Sequence, residues 1–441
     1  MVGTENEDLK SRKCCCPSIK KFTVRFCVMI NNSIAIKDKP FINSNTGMNN
    51  ILLDLGSQPL AGNLCVSKDQ SLYAHKYPLR ATYNNDLNIR LDTEIDPNIL
   101  YKNYSYHSGI SLPYIKHCEE MYSTFKHLKA NTIIDIGGND GTLLKTFKRL
   151  EEDGNKSNKE NQQKRYINVD VSDSFQSINN KLGIEYYKAF FSDELNLPKA
   201  DIIISTNVFQ HTKNIDIFLK GISKFLNGVW ILEFPYTLRT LEKIYFDQFY
   251  HEHFYYWLIT PLEKLFKMYG LKIIYITENT MQGGSIRIWL TNKQPSSPEI
   301  IDVINSYKEK ESILNLDLFN SRVKKKIQDD IKYIKELNGK TIFFGAAAKG
   351  VVYLNALGIT SKTMPNSYVI DDTIEKQGLY IPGTGLKIYS RNKLSKDDVD
   401  NIIILSHNYY DYIVNSLRND MSLELSNKCK IMTMFPAIQI H

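Results

Sequence analysis

The sequence predicts an α/β protein with two regions of parallel sheet, on three observations. Several runs rich in Ile and Val are apolar throughout rather than alternating, as strands buried on both faces are. Segments with apolar residues at helical spacing join those runs. The succession of strand, glycine turn and helix then occurs twice, first around 131–150 and again around 340–357.

At 441 residues the chain has room for two or three domains. Residues 1–20 read as a disordered tail without the apolar core of a signal peptide. No uncharged apolar run approaches the roughly 20 residues that a bilayer span needs. Seven cysteines is an odd count, and three of them, Cys14, Cys15 and Cys16, are adjacent, a poor disulfide framework. A reduced, cytoplasmic protein without a membrane partner is expected. The net charge of +7 is spread along the chain, which suits an acidic small molecule such as a nucleotide. Zinc-finger spacing, a helix-turn-helix signal and an aromatic-basic RNA signature are all missing, which argues against nucleic acid as a partner.

The first region opens with "NTIIDIGGNDGTLLKTFKRL" (131–150), an apolar run, a glycine turn and an amphipathic segment. "EEDGNKSNKENQQKR" (151–165) is too polar to pack and reads as a solvated insertion. "YINVDV" (166–171), "ADIIIST" (200–206) and "GVWILEF" (228–234) read as further strands, and so does "GSIRIWLT" before the breaker-rich "NKQPSSPEI" (292–300). Residues 302–337 carry apolar positions at helical spacing and separate the two regions. The second region runs through "KTIFFGAAAKGVVYLNAL" (340–357), "SYVIDD" (367–372) and "NIIILS" (401–406).

In "IIDIGGNDG" (133–141), Asp135 precedes a turn in which Gly137 and Gly138 let the backbone approach a ligand, and the next helix offers its N-terminal amides. Asp170, ending the following strand, is placed to bind a ribose hydroxyl pair. The polar insertion accounts for the long spacing between loop and acid. A full G-x-G-x-x-G is absent, and the pair Asn139 and Asp140 suits a cofactor with amino-acid and ribose groups better than a pyrophosphate. S-adenosylmethionine fits. "FFGAAAKG" (343–350), followed by Asp371 and Asp372, is either a degenerate NAD site or a tight turn for close helix–sheet packing; spacing does not separate the two.

"FDQFYHEHFYY" (246–256) crowds titratable groups among rings. Apolar walls shift a His or Glu toward a useful pKa, although a His among aromatics is also ordinary core. If the stretch is extended, His251 and His253 share one face while Tyr250 and Glu252 share the other. A metal reading of His-x-His finds no further ligand cluster.

Together these motifs resemble the sugar C-methyltransferase family, enzymes that methylate nucleotide-linked deoxysugars with S-adenosylmethionine. The resemblance runs from "LLDLGSQPLAGN" (52–63) through "YKNYSYHSGIS", "IDIGGNDGTLL", "STNVFQH", "LEFPY", "FDQFYHEHFYYW", "GGSIRIW", "GAAAKG" and "DDTIEKQGLYIPGTGLKI". It implies a zinc-ribbon-like N-terminal domain over 21–98, degenerate here, and a central doubly wound Rossmann-like methyltransferase domain over 99–300. A helical connector over 301–338 and a C-terminal Rossmann-like sugar-nucleotide domain over 339–441 complete it. The family's two C-x-x-C pairs stand here as Val24 and Cys27, then near Tyr83 and Asp86. One thiolate of four does not make a closed zinc site, so a metal-free domain is expected. Gln282 stands where the family often has His.

The resemblance further implies proton removal from carbon 3 of a nucleoside-diphosphate 4-keto-deoxyhexose and methylation of the resulting enolate. That chemistry needs a base and donors for the oxyanion. His253 is the implied base, with His251 second, Tyr250 a hydroxyl donor and Glu252 an orienting carboxylate. Asn207 is implied to face the cofactor and His211 the sugar, and their spacing would align them on one helical turn. Tyr104 and Tyr106 match a region that closes over the substrate. Arg287 and Lys349 are candidates for the diphosphate, or surface charges. A monomer or weak homo-oligomer is expected. O- or N-methylation of a nucleotide sugar, an NAD-dependent oxidoreductase and a degenerate scaffold stay open as alternatives.

Overall fold

Hydrophobic runs set the architecture of three sheets, seen in a computed structural model. It describes residues 50–441 except 101–111, 129, 155–163, 294, 397, 421–422 and 424–428. The chain divides into Met1–Lys39 and Pro40–His441, and everything described lies in the second unit. The proposed tail, Cys14 to Cys16, Val24, Cys27, Tyr104 and Tyr106 lie outside the described residues, as does most of the polar insertion.

The first sheet joins β1 (Asn50–Pro59), β2 (Lys76–Tyr83) and β3 (Ile89–Leu91) in antiparallel register. Leu52, Leu53, Leu79 and Ala81 point from it into a cluster continuous with the rest of the molecule. Two positions near the family's second cysteine pair have packing partners of their own. The Tyr83 hydroxyl donates to Asp317 at 2.5 Å, and Lys264 donates to Asp86 at 2.7 Å.

The second sheet holds β4 (Thr132–Ile136), β5 (Arg165–Asp170), β6 (Glu185–Lys188), β7 (Ala200–Thr206) and β8 (Leu226–Pro235). β9 (Tyr255–Tyr256) instead leaves to pair with β3, so the first sheet closes on the segment that carries the histidines. β10 (Lys272–Asn279) and β11 (Ser285–Thr291) then return antiparallel to the edge of β8. The order is β10-β11-β8-β7-β4-β5-β6, with β8 through β6 parallel. From β4 the chain builds outward through β5 and β6, then crosses back to β7. The carboxyl ends around β4 and β7 are therefore the switch point where such sheets hold ligands.

Both faces of this sheet are covered. Leu143, Leu144 and Phe147 of helix Thr142–Gly154 pack with Met121 and Phe125 of helix Leu112–Phe125. On the other face, Phe218, Leu219 and Ile222 of helix Ile215–Phe225 pack near Trp230 and Phe266. Asn214 caps that helix by accepting from the Ile217 amide at 3.3 Å, a contact of about 1 kcal/mol.

The connector is two helices, Pro298–Ser312 and Phe319–Glu336, broken at Leu316–Leu318 where Asn315 caps the turn. The third sheet comprises β12 (Thr341–Phe344), β13 (Val369–Ile370), β14 (Ile388–Tyr389), β15 (Asn401–Ile404), β16 (Lys430–Thr433) and β17 (Gln439–Ile440). Its order is β14-β13-β12-β15-β16-β17, parallel except for the last strand. Its strands are short, and both faces of the sheet are covered. Ile342, Phe343, Ile402 and Ile403 are wholly buried. Among the described residues no helix is long and apolar enough to cross a membrane.

Candidate active site

The glycine turn after β4 is held by polar side chains from the neighbouring strands. The Asn168 side chain accepts from the Gly138 amide at 3.1 Å and donates to the Asn139 carbonyl at 3.0 Å. Asp170, half-buried, accepts from the Asn139 amide at 3.0 Å. Asp140 accepts from both the amide and the hydroxyl of Thr142, starting the next helix. Gly137 has φ +67°, and a Cβ there would lie 2.4 Å from Val208 Cγ2. A Cβ on Gly138 would lie 2.6 Å from Asp135 Oδ2.

Two polar groups beside this turn lack partners. Neither carboxylate oxygen of the buried Asp135 has a hydrogen-bond partner among the described residues, and nor does Asn207 Oδ1. Burial, followed by the neighbouring charge of Asp170, raises the Asp135 pKa well above the usual carboxylate range. Asn207 follows β7 at φ +56°. Orphaned acceptors beside a glycine cradle fit a ligand that brings an amine and hydroxyls, as S-adenosylmethionine does. Asp135, Asp170 and Asn207 are the side chains that would hold it.

The histidine segment is a turn rather than an extended strand. The His253 amide donates to the Tyr250 carbonyl at 2.9 Å, and the Phe254 amide to Gln210 at 2.9 Å. Alternation of faces therefore fails. The Tyr250 and His253 rings lie together, centroids 4.0 Å apart, and His253 meets His211 edge-on at 4.7 Å. His211 sits in the short turn Phe209–His211, separated from Asn207 by the latter's positive φ, so the two do not share a helical turn.

Backbone carbonyls assign the protons. A carbonyl accepts only, so His253 Nδ1–H donates to Gln248 O at 3.0 Å and His211 Nδ1–H donates to Glu252 O at 2.7 Å. Each neutral ring then carries its lone pair on Nε2. His251 has the opposite tautomer, donating from Nε2 to Pro78 O at 3.2 Å in the first sheet. Burial, with the His211 ring next, lowers the His253 pKa well below 6.5; burial lowers that of His211 to about 4. Burial raises the pKa of Glu252, whose Oε1 accepts from the Gly62 amide at 3.1 Å.

The third sheet supplies the far wall. Lys349, in helix Ala348–Ala356, donates to Gln282 O at 3.2 Å and reaches Asn408 Oδ1 at 3.5 Å. The buried Asp247 pairs with His407 Nε2 at 3.0 Å.

Residues 116–276 match the methyltransferase domain family, and residues 280–425 match the C-methyltransferase C-terminal domain family. C-methyltransferase NovU of Streptomyces niveus is 24% identical over 388 residues, 83% of this chain and 89% of NovU. The chain is thus similar to C-methyltransferases over both regions. It is an S-adenosylmethionine-dependent methyltransferase. Among solved structures, magnesium protoporphyrin IX methyltransferase of Synechocystis PCC 6803 with bound S-adenosylmethionine is 11% identical. It aligns with 41% of this chain and 80% of its own at TM-score 0.31. The PH0226 protein of Pyrococcus horikoshii OT3 is 16% identical, with 44% and 98% covered at TM-score 0.34.

Within this methyltransferase the expected residues fall into separate groups. Asp135, Gly137, Gly138, Asn139, Asp140, Asp170 and Asn207 meet at the carboxyl edge of β4, β5 and β7. Tyr250, Glu252, His253 and His211 are joined by the contacts above, and Lys349 reaches them through Gln282 O, which also accepts from Gln248 Nε2 at 2.6 Å, whereas His251 faces the first sheet. Arg287 is neither a surface charge nor a free phosphate ligand. It is 2% exposed on β11 and donates at 2.6 Å to Glu233, its cross-strand partner, which also meets His117 at 2.6 Å. Sequence reasoning missed Asp247, His407, Glu233 and His117. Asp247 stands inside the quoted aromatic stretch, and His407 follows an apolar strand at a sheet's carboxyl edge; both signals were available.

The second glycine loop is tightly packed. A Cβ on Gly345 would lie 2.4 Å from Ser406 Oγ, and one on Gly350 would lie 2.8 Å from the Gly345 carbonyl. Asp371 accepts from the Ala346 amide at 2.7 Å and from Lys376 at 3.2 Å. Asp371 thus differs from Asp170 in having a lysine partner as well as its turn amide.

Proposed function

We propose that this methyltransferase adds a methyl group to carbon 3 of a nucleoside-diphosphate 4-keto-deoxysugar, with His253 as the base. One observation carries the reading: a neutral imidazole whose Nδ1–H is tied to Gln248 O, leaving Nε2 free among Tyr250, Tyr256 and Trp257. Nε2 takes the proton beside the ketone, the C–H electron pair moves into the enolate, and charge collects on the carbonyl oxygen. S-adenosylmethionine, when bound, supplies an activated sulfonium methyl to the enolate carbon and leaves as the thioether. The apolar wall excludes water that would otherwise reprotonate that carbon. Glu252, tied to Gly62, orients the sugar or its hydroxyls, and Tyr250 supplies a hydroxyl donor beside the base. The relatedness to NovU, a C-methyltransferase by name, supports carbon as the acceptor. The protein is read as cytoplasmic and metal-free, with a nucleotide sugar as its partner.

The test is mass spectrometry after incubation with labelled methyl donor and a panel of nucleoside-diphosphate 4-keto-deoxyhexoses, run in deuterated water. Methyl incorporation with deuterium washing into carbon 3 is expected. Methyl incorporation without exchange would assign the reaction to oxygen or nitrogen instead.

A further inference from the structure

We propose that Lys349, carried by the second α/β region, is a catalytic residue that hydrogen-bonds the substrate's carbonyl oxygen as negative charge develops there, and that the buried Asp247–His407 pair positions it. The proposal rests on the C-methylation reading above.

Lys349 is 6% exposed, and its acceptors are a carbonyl at 3.2 Å and an amide oxygen at 3.5 Å. An ammonium carries three N–H donors, and the third has no acceptor among the described residues. Buried lysines are rare unless they are paired. The contrast within this molecule is Lys326, whose ammonium meets both oxygens of Asp330 and the Met434 carbonyl. Lys326 has the partners of a structural lysine. Lys349 keeps one donor in hand beside the base.

The surroundings also separate an oxyanion from a diphosphate. A diphosphate needs several converging cations or amides. Lys349 and Gln248 Nε2 share the Gln282 carbonyl, at 3.2 and 2.6 Å, and Gln248, next to Asp247 in the chain, holds His253 through its own carbonyl, while the other candidate cation, Arg287, is paired with Glu233. Asp247 would repel a diphosphate, yet it favours an ammonium. It is wholly buried, its Oδ2 accepts from His407, and its Oδ1 has no hydrogen-bond partner among the described residues. Tyr245 lies against His407 at 4.6 Å, closing the far side of the pair. A single positive charge beside His253 lies near the position where an enolate oxygen forms, one carbon from the proton removed. No proton transfer from Lys349 is required; the carbonyl re-forms when the carbon takes the methyl group.

The charges facing the ammonium act in opposite senses. Burial lowers its pKa to about 8, and Asp247 raises it. His253 is lowered in turn by burial, by His211 and by Lys349, so both rings stay neutral while Lys349 is charged. His407, Tyr245 and Tyr353 face Asp247 from the other side. Removing the Asp247 charge should therefore lower the Lys349 pKa.

The experiment compares wild type, Lys349→Met and Asp247→Asn with thymidine- and uridine-diphosphate 4-keto-6-deoxyhexoses in deuterated water. Exchange at carbon 3, kcat against pH, and the affinity for free thymidine and uridine diphosphate are measured. S-adenosylmethionine binding and the melting midpoint establish that each variant is folded. Lys349→Met is expected to cut kcat and exchange by about 10²–10³-fold, with nucleoside-diphosphate affinity unchanged. Asp247→Asn should move the alkaline limb of kcat to lower pH. Wild-type exchange by Lys349→Met at saturating substrate, with or without weaker nucleoside-diphosphate binding, would overturn the proposal. An unmoved alkaline limb in Asp247→Asn would remove the positioning pair from it. Absence of exchange in the wild type across both substrates would instead overturn C-methylation itself, and the two failures are distinguishable.

Discussion

A histidine becomes a base through what holds its other nitrogen. Gln248 O fixes His253 as the Nδ1–H tautomer, and burial keeps the ring neutral at ordinary pH. His253→Ala is therefore expected to retain S-adenosylmethionine binding while losing turnover; calorimetric titration beside a methyl-transfer assay checks it, and equal loss of both would remove the base role. The pH dependence follows with its sign. The proposed base His253 would act unprotonated, and burial holds its pKa below 6.5, so the acid limb of kcat/KM should lie below pH 6.5. His211, lowered to about 4, binds a proton in the unfolded chain that the folded chain refuses between pH 6.5 and pH 4. Stability should fall as pH drops through that window, and His211→Gln should flatten part of the fall in melting midpoint. The clustering of Tyr250, Glu252 and His253 was legible because crowded rings and titratable groups stand side by side in the chain. The diphosphate role expected of Arg287 did not fit, because its partner Glu233 comes from a neighbouring strand that no local pattern pairs with it.

At the scale of elements, strands and turns followed local chemistry closely. "ADIIIST" is β7 residue for residue, since an unbroken β-branched run has few alternatives to a buried strand. The glycine turn was legible for the same reason: Gly137 adopts φ +67°, which a side chain would strain. Gly138 is constrained by space instead. Gly138→Ala should push Asp135 or Asn168 aside, and we expect S-adenosylmethionine affinity to fall while the melting midpoint drops by the equivalent of about 1–3 kcal/mol. Unchanged affinity in a titration would show that this turn does not cradle the cofactor. The histidine segment defeated the alternation rule because its backbone turns at Tyr250–His253, and period-2 reasoning holds only while a strand continues. Likewise Asn207 and His211 have helical spacing on paper but no helix between them.

Across the whole molecule, three sheets meet at one segment. β9 pairs it with the first sheet, Gln210 holds it to the second, and Phe246 stacks on Tyr353 of the third at 5.8 Å. Tyr353 is 2% exposed, touches Phe435 and donates to Asp330 at 3.0 Å. Tyr353→Ala should cost about 3–5 kcal/mol in a denaturant titration. It should also lower kcat, because it loosens the Phe246–Gln248 turn that carries Asp247 and the carbonyl holding His253. Full activity in a destabilised Tyr353→Ala protein would separate sheet packing from catalysis.

By itself the sequence determined what neighbours a few residues apart can settle: apolar strands, glycine turns, the clustering of Tyr250 to His253, and the motifs that resemble sugar C-methyltransferases. Only the tertiary structure decided which nitrogen of each imidazole is free, which cation is already paired, and which histidine meets Asp247. The physical reason is distance along the chain. His407 lies 160 residues from Asp247 and Arg287 lies 54 from Glu233, and burial, tautomer and pairing are set by whichever groups folding brings into contact.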